Sequence, residues 1–143
     1  MQSQGKFMIF GCGTDLVAIA RLEPWQKFTD KQLFKVFVPE ELLAIRADGT
    51  WSAQRAAAYF ALKEAFYKAL STTMVATQKI GHDVSFQQIC PLICIQKNSW
   101  GIPEISVDWQ AITDLTGFSQ QWQVHCTYSH EKDYAIAFVI LSQ

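Results

Sequence analysis

Glu64 and Lys68 stand four residues apart in the stretch 51–70, which has no Gly or Pro and contains seven alanines. On a helix this spacing puts both side chains on one face. A solvent-exposed pair of this kind is an ordinary ion pair contributing about 0.3–0.5 kcal/mol. Here the neighbours are Phe60, Ala61, Ala65, Phe66, Ala69 and Leu70. Charges on so apolar a helix are costly unless they are paired or bound to something. Lys63 adds a third charge beside them. Asp15 follows a short apolar run and two glycines. Its simplest role is a helix cap, but a carboxylate at a strand end also reaches a metal. Asp15 and Glu64, with water and phosphate oxygens, would make a hard oxygen site suited to Mg2+. His125, Thr127 and Ser129 alternate near the C-terminal end and project to one face of a regular strand. An imidazole and two hydroxyls on one face can bind phosphate, although a lone His beside a strand, such as His125 or His130, is more often a satisfied core or turn residue.

These groups need a scaffold. Residues 7–10 read as a short strand, after which Gly11 and Gly13 permit a tight turn. Thr14 or Asp15 then caps a helix over 16–27, with Pro24 near its end. Residues 30–37 and 39–47 read as two short helices. Pro39 suits a first helical position, and Glu40 and Glu41 suit the positive end of the helix dipole. The stretch 51–70, with Ser52 as its cap, is the strongest helix, and its apolar C-terminal half places it in the middle of the fold. Residues 71–82 read as irregular. Beyond them the period changes toward two: strands are expected over 84–89, 92–96 and 104–107, with a turn at 98–101. A short helix over 109–116 closes at Gly117, and 122–129 with 134–141 form a terminal hairpin turning at 130–133. Helices first and strands later indicate an α+β domain with helices packed on an antiparallel sheet.

The bulk properties narrow the functional classes. A chain of 143 residues, half of them hydrophobic and including five Trp and ten Phe, suits one globular domain over 1–143 behind a loose polar leader at 1–6. A net charge of -1 argues against a nucleic-acid partner. The apolar runs 7–12 and 134–141 are too short for a signal-peptide core and a membrane span, so no membrane association is expected. Cys12, Cys90, Cys94 and Cys126 show no CxxC pair and no zinc spacing, which fits reduced thiols in a cytoplasmic protein. Arg21, Lys27, Lys31 and Lys35 gather in one stretch, either as a solvated face or as a docking strip for an acidic partner.

Gly13-Thr14-Asp15-Leu16, followed some way on by Phe60-Ala61-Leu62-Lys63-Glu64-Ala65-Phe66-Tyr67-Lys68-Ala69, resembles the two motifs of 4'-phosphopantetheinyl transferases. Val124 to His130 with Tyr134 to Ile140 is similar to the end of holo-acyl-carrier-protein synthases, and Gly101-Ile102-Pro103 resembles the hairpin before it. The resemblance runs from Phe7 over nearly the whole chain and suits the short, trimer-forming class. It implies transfer of the phosphopantetheine arm of coenzyme A to a serine of an acyl carrier protein, releasing adenosine 3',5'-bisphosphate. Asp15 and Glu64 would hold Mg2+ against the pyrophosphate, Glu64 would take the serine proton, and Lys68 would stabilise charge on the transferring phosphate. Lys63 would assist phosphate binding. His125, Thr127 and their neighbours would line the nucleotide pocket of the adjacent subunit. Arg21, Lys31 and Lys35 would meet the acidic carrier protein.

The chain also departs from the family pattern. Tyr59 stands where an arginine commonly contacts phosphate, and Arg55 lies one helical turn earlier, where it could reach toward the same place. Val38 and Pro39 replace a more polar stretch. These differences bear on coenzyme A affinity and on carrier choice, including carriers of polyketide or polyunsaturated-lipid synthesis. Two other readings of the same residues are a non-catalytic trimeric subunit that binds coenzyme A or a carrier, and a metal-dependent hydrolase of a nucleotide pyrophosphate.

Overall fold

A computed structural model describes residues 6–77 and 84–143. Most of the expected leader, and the last part of the stretch 71–82, lie outside these residues. The elements are β1 (Ile9–Ala18), a 3-10 segment (Ile19–Lys27), α1 (Asp30–Leu33), α2 (Pro39–Ile45), α3 (Ala53–Ala76), α4 (Phe86–Ile89), β2 (Ile93–Lys97), β3 (Pro103–Val107), α5 (Trp109–Thr116), β4 (Gln123–His130) and β5 (Tyr134–Ser142). β1, β5 and β4 form an antiparallel sheet in that order, and β2 and β3 form a separate hairpin. This is the expected α+β arrangement.

The first expectation to be corrected is the turn at Gly11 and Gly13. Both lie inside β1, which runs on through Asp15 to Ala18, paired along its length with β5. Glycine is needed there for close approach. A Cβ on Gly13 would overlap the carbonyl of Ala65, and one on Gly11 would overlap the Ala69 carbonyl and the Thr73 hydroxyl. The strand backbone therefore lies directly on α3, which meets it at Ala65, Ala69 and Thr73. Asp15 caps no helix. The expected helix over 16–27 is a strand end followed by the 3-10 segment, which carries Pro24 inside it.

α3 is the axis of the core. Ser52 caps it by accepting a hydrogen bond from the amide of Arg55. It runs past Leu70 to Ala76, where the hydroxyls of Ser71, Thr72 and Thr73 find acceptors within the helix by donating back to the carbonyls of Tyr67, Lys68 and Ala69. Leu62, Phe66 and Leu70 are buried on it, each contributing about 1.5–3 kcal/mol. Ala135, Ala137, Val139 and Leu141 of β5 alternate inward toward the helix. Residues 84–89, expected as a strand, instead begin a short helix. Ser85 accepts from the Gln88 amide while the Gln88 side chain accepts from the Ser85 amide, the reciprocal pattern of a capping box. α5 closes at Gly117, whose φ of 72° is left-handed, as expected.

Candidate active site between the first strand and the central helix

Alternation along β1 places Gly11, Gly13, Asp15 and Val17 on the side facing α3. The two glycines seat the strand on the helix, and Asp15, two residues further on, reaches the exposed edge of the seam. Lys68 Nζ donates to Asp15 Oδ1 at 2.8 Å and to the Thr14 carbonyl at 3.0 Å. The Asp15 side chain is only 16% exposed, against 48% for Lys68. Glu64 sits one helical turn before Lys68. Burial pushes its carboxyl above the usual glutamate value, and the Asp15 carboxylate pushes it further, while Lys68 and Arg21 pull it down. Arg21 lies over the Phe60 ring, its guanidinium carbon 5.0 Å from the centroid. Asp15, Arg21, Glu64 and Lys68 thus come together at one edge of the β1–α3 seam.

Two carboxylates and two cations in a half-buried place suit an anionic substrate with a hard metal ion. Among the described residues no cluster of three or more His, Cys, Asp or Glu gathers. A closed protein cage of the structural zinc type is therefore not built from them. Two carboxylate ligands do fit Mg2+, which keeps waters and takes its remaining oxygens from substrate phosphates.

Lys63 does not belong to this site, and its expected phosphate contact is corrected. Its side chain is wholly buried. Its ammonium pairs with Glu41 Oε2 at 2.9 Å and donates to the carbonyls of Cys90 at 2.7 Å and Ile93 at 3.1 Å. A lysine has three protons to donate, and these three acceptors use them. Five residues along a helix turn the side chain by roughly 140°, so Lys63 and Lys68 look into different parts of the molecule.

Arg55 and Tyr59 line a separate cavity of about 350 Å³, with Glu40 and Ala44 of α2 and Ile95, Gln96 and Lys97 of β2. An Arg55 guanidinium nitrogen donates to the Ala44 carbonyl. Tyr59 is buried, and burial raises its phenol above the usual value. Lys97, which the sequence reading did not single out, lies 5.8 Å from the Tyr128 ring centroid, and His130 Nδ1 is 2.9 Å from Gln54 Nε2. These contacts join distant parts of the chain, and no local spacing signals them.

His125 and Thr127 lie on the other side of the sheet. Thr127 pairs with Phe138, which pairs with Thr14, so all three face away from α3 and from Asp15. His125 Nε2 meets the Ser142 hydroxyl at 2.9 Å. The same outer face exposes Leu16, Tyr134, Ile136 and Phe138. Lys31 and Lys35 are exposed on and just after α1, as a docking strip requires.

Comparison with known proteins places the fold and the sequence in one family. The model of the 4'-phosphopantetheinyl transferase superfamily matches residues 11–139. The holo-[acyl-carrier-protein] synthase of Ehrlichia chaffeensis is 34% identical over 137 residues, covering 94% of this chain and 97% of the relative. The crystal structure of the holo-[acyl-carrier-protein] synthase of Neisseria meningitidis superposes with a TM-score of 0.67 at 32% identity, covering 95% of this chain and 100% of that one. The Helicobacter pylori holo-[acyl-carrier-protein] synthase in complex with coenzyme A gives 0.65 at 30% identity, covering 91% of this chain and 98% of that one. With its motif residues at the strand–helix seam and these relatives matched almost end to end, the chain belongs to the 4'-phosphopantetheinyl transferase superfamily, in the holo-[acyl-carrier-protein] synthase family.

Proposed function

We propose that this protein transfers the 4'-phosphopantetheine arm of coenzyme A to a serine of an apo acyl carrier protein, in fatty-acid or related lipid or polyketide synthesis. The observation that carries the reading is the meeting of Asp15, Glu64 and Lys68 at one edge of the β1–α3 seam. The serine oxygen forms a bond to the β-phosphorus, the bond from that phosphorus to the bridging oxygen breaks, and adenosine 3',5'-bisphosphate leaves. Glu64, its carboxyl raised toward the working range of a base, accepts the serine proton. Lys68 lies beside Asp15, where it offsets the charge that grows on the transferring phosphate. Asp15 and Glu64 would hold Mg2+, whose chemistry is to neutralise and orient the pyrophosphate.

His125 and Thr127 serve in this reading as phosphate and nucleotide contacts for a neighbouring subunit. They face away from their own chain's Asp15, beside the exposed Leu16, Ile136 and Phe138, a sheet face that would be covered in a homotrimer. Arg55 and Tyr59 line the second cavity, on the face of α3 that Lys63 shares, and in this reading would contact coenzyme A only if part of it reaches that cavity. Arg21, Lys31 and Lys35 steer the acidic carrier.

The test is intact-mass spectrometry of an apo acyl carrier protein incubated with this protein, coenzyme A and Mg2+. Gain of one phosphopantetheine arm, lost on chelation, is expected. Coenzyme A binding with no transfer to any of a panel of carriers would overturn the reading. Light scattering tests the assembly: a monomer at micromolar concentration would remove the trimer and the roles of His125 and Thr127 with it.

A further inference from the structure

Two charged side chains lie in the interior without touching the site. Glu41 and Lys63 are both fully buried and 2.9 Å apart. Glu41 Oε1 accepts from the Ile95 amide at 2.7 Å, and Glu41 Oε2 accepts from the Val38 amide at 2.9 Å. Lys63 donates to the Cys90 and Ile93 carbonyls. One pair of residues therefore ties together the start of α2, the middle of α3, the turn before β2, and β2 itself. Burying such a pair is expensive, and a well-packed apolar pair of similar volume is often as stable or more so. Stability alone does not account for it. What hydrogen bonds supply and apolar packing does not is direction.

That direction acts next to Glu64. On one side β1 lies on α3 at Ala65 and Ala69. On another, the Glu41–Lys63 pair holds the helix at residue 63. Across the β1–α3 seam the directed side-chain bonds of Lys68 are half exposed and open to exchange with a substrate, whereas those of Glu41 and Lys63 are enclosed. We propose that the Glu41–Lys63 pair positions Glu64, fixing the roll and axial setting of α3 so that the Glu64 carboxylate stands against Asp15. The inference rests on the transfer reading. It makes Glu41 and Lys63 positioning residues, since neither touches the reacting groups.

The experiment uses the full chain and compares wild type with Glu41→Gln and with the double variant Glu41→Leu/Lys63→Met. The double variant removes both charges and leaves neither one stranded, whereas Glu41→Gln keeps shape and some hydrogen bonding. The readouts are thermal midpoint, kcat, KM for coenzyme A, and Mn2+ affinity by electron paramagnetic resonance. At least one variant should melt within a few degrees of wild type. In each variant that does, kcat should fall roughly tenfold or more, since small misplacements of a reacting group are costly. KM for coenzyme A should stay within about twofold, and Mn2+ should bind more weakly, since Asp15 and Glu64 would no longer be held in register. A folded variant with wild-type kcat and Mn2+ affinity overturns the positioning role, as does failure of both variants to fold, which would make the pair purely structural. A wild-type protein that neither transfers nor binds Mn2+ overturns the transfer reading and the positioning role together. Wild-type transfer with unaffected variants overturns the positioning role alone.

Discussion

Lys63 and Lys68 belong to one helix and one sequence motif, and they occupy opposite environments. Lys63 is enclosed, saturated by Glu41 and two carbonyls. Lys68 is half exposed, held by Asp15 and the Thr14 carbonyl at a surface where a phosphate could replace a partner. The difference teaches that a charged motif on a helix can split its environments by angle: one side is locked into the interior, and the other leaves cations and carboxylates at the surface, where the proposed function needs them. The two sides should fail differently when broken.

The largest effect is expected on the open side. Glu64→Gln keeps size and removes the proposed base, so transfer measured by mass spectrometry should drop by about 10²–10⁴-fold. The melting midpoint should stay the same or rise, because burial already disfavours the charged carboxylate. Near-normal turnover in this variant would remove Glu64 from the chemistry.

The paired comparison comes next. Lys63→Met strands the Glu41 charge in the interior, and chemical denaturation should show a loss of roughly 3–5 kcal/mol. Lys68→Met breaks a part-exposed pair, so stability should change by about 1 kcal/mol or less. Transfer should nevertheless fall by about 10²-fold, the scale of losing one charge-stabilising donor. Equal stability losses would erase the distinction between the two sides.

Lysines that touch neither side sharpen the contrast. Lys31→Glu and Lys35→Glu should leave stability and kcat near wild type while raising KM for carrier by roughly tenfold at low salt, with little change for coenzyme A. A matching rise in both constants would count against a docking strip.

The sequence made the composition of the site legible but not its angles. Asp15, Glu64 and Lys68 were readable through the resemblance of their two motifs to a known family, since spacing alone joined only Glu64 to Lys68 and left Asp15 as a helix cap. Lys63 misled because adjacency to Glu64 says nothing about which side of α3 it takes until Glu41, on another helix, is seen to meet it. The strand over Ile9–Ala18 was hidden for a related reason. Its inward positions are Gly11, Gly13, Asp15 and Val17, and its outward ones include Cys12 and the exposed Leu16, so hydrophobic alternation does not mark the faces. Gly11 and Gly13 read as a turn, whereas α3 required them as bare backbone. The helix at 86–89 did have a local signal, the capping box of Ser85 and Gln88, outweighed by the β-like run around it.

The smallest effect is a shift in titration, and it separates the two lysines without any catalysis. Glu64 is raised above the ordinary glutamate value of 4.5, by burial first and by Asp15 second, with Lys68 and Arg21 opposing. Its carboxyl therefore keeps its proton to higher pH than a free glutamate does. Lys68→Met removes a cation that favours the charged form, so the midpoint should rise further. Asp15→Asn removes a repelling carboxylate and frees Lys68, so the midpoint should fall. Glu41→Leu/Lys63→Met removes two charges that already neutralise each other within the core but releases Glu64 from its setting against Asp15, so in protein that folds the midpoint should fall, by less than in Asp15→Asn. Carbon-13 NMR of labelled glutamate, recorded without divalent ions, reads all three. A double variant that raises the midpoint as far as Lys68→Met would mean that the enclosed side of α3 acts on Glu64 by charge and not by position.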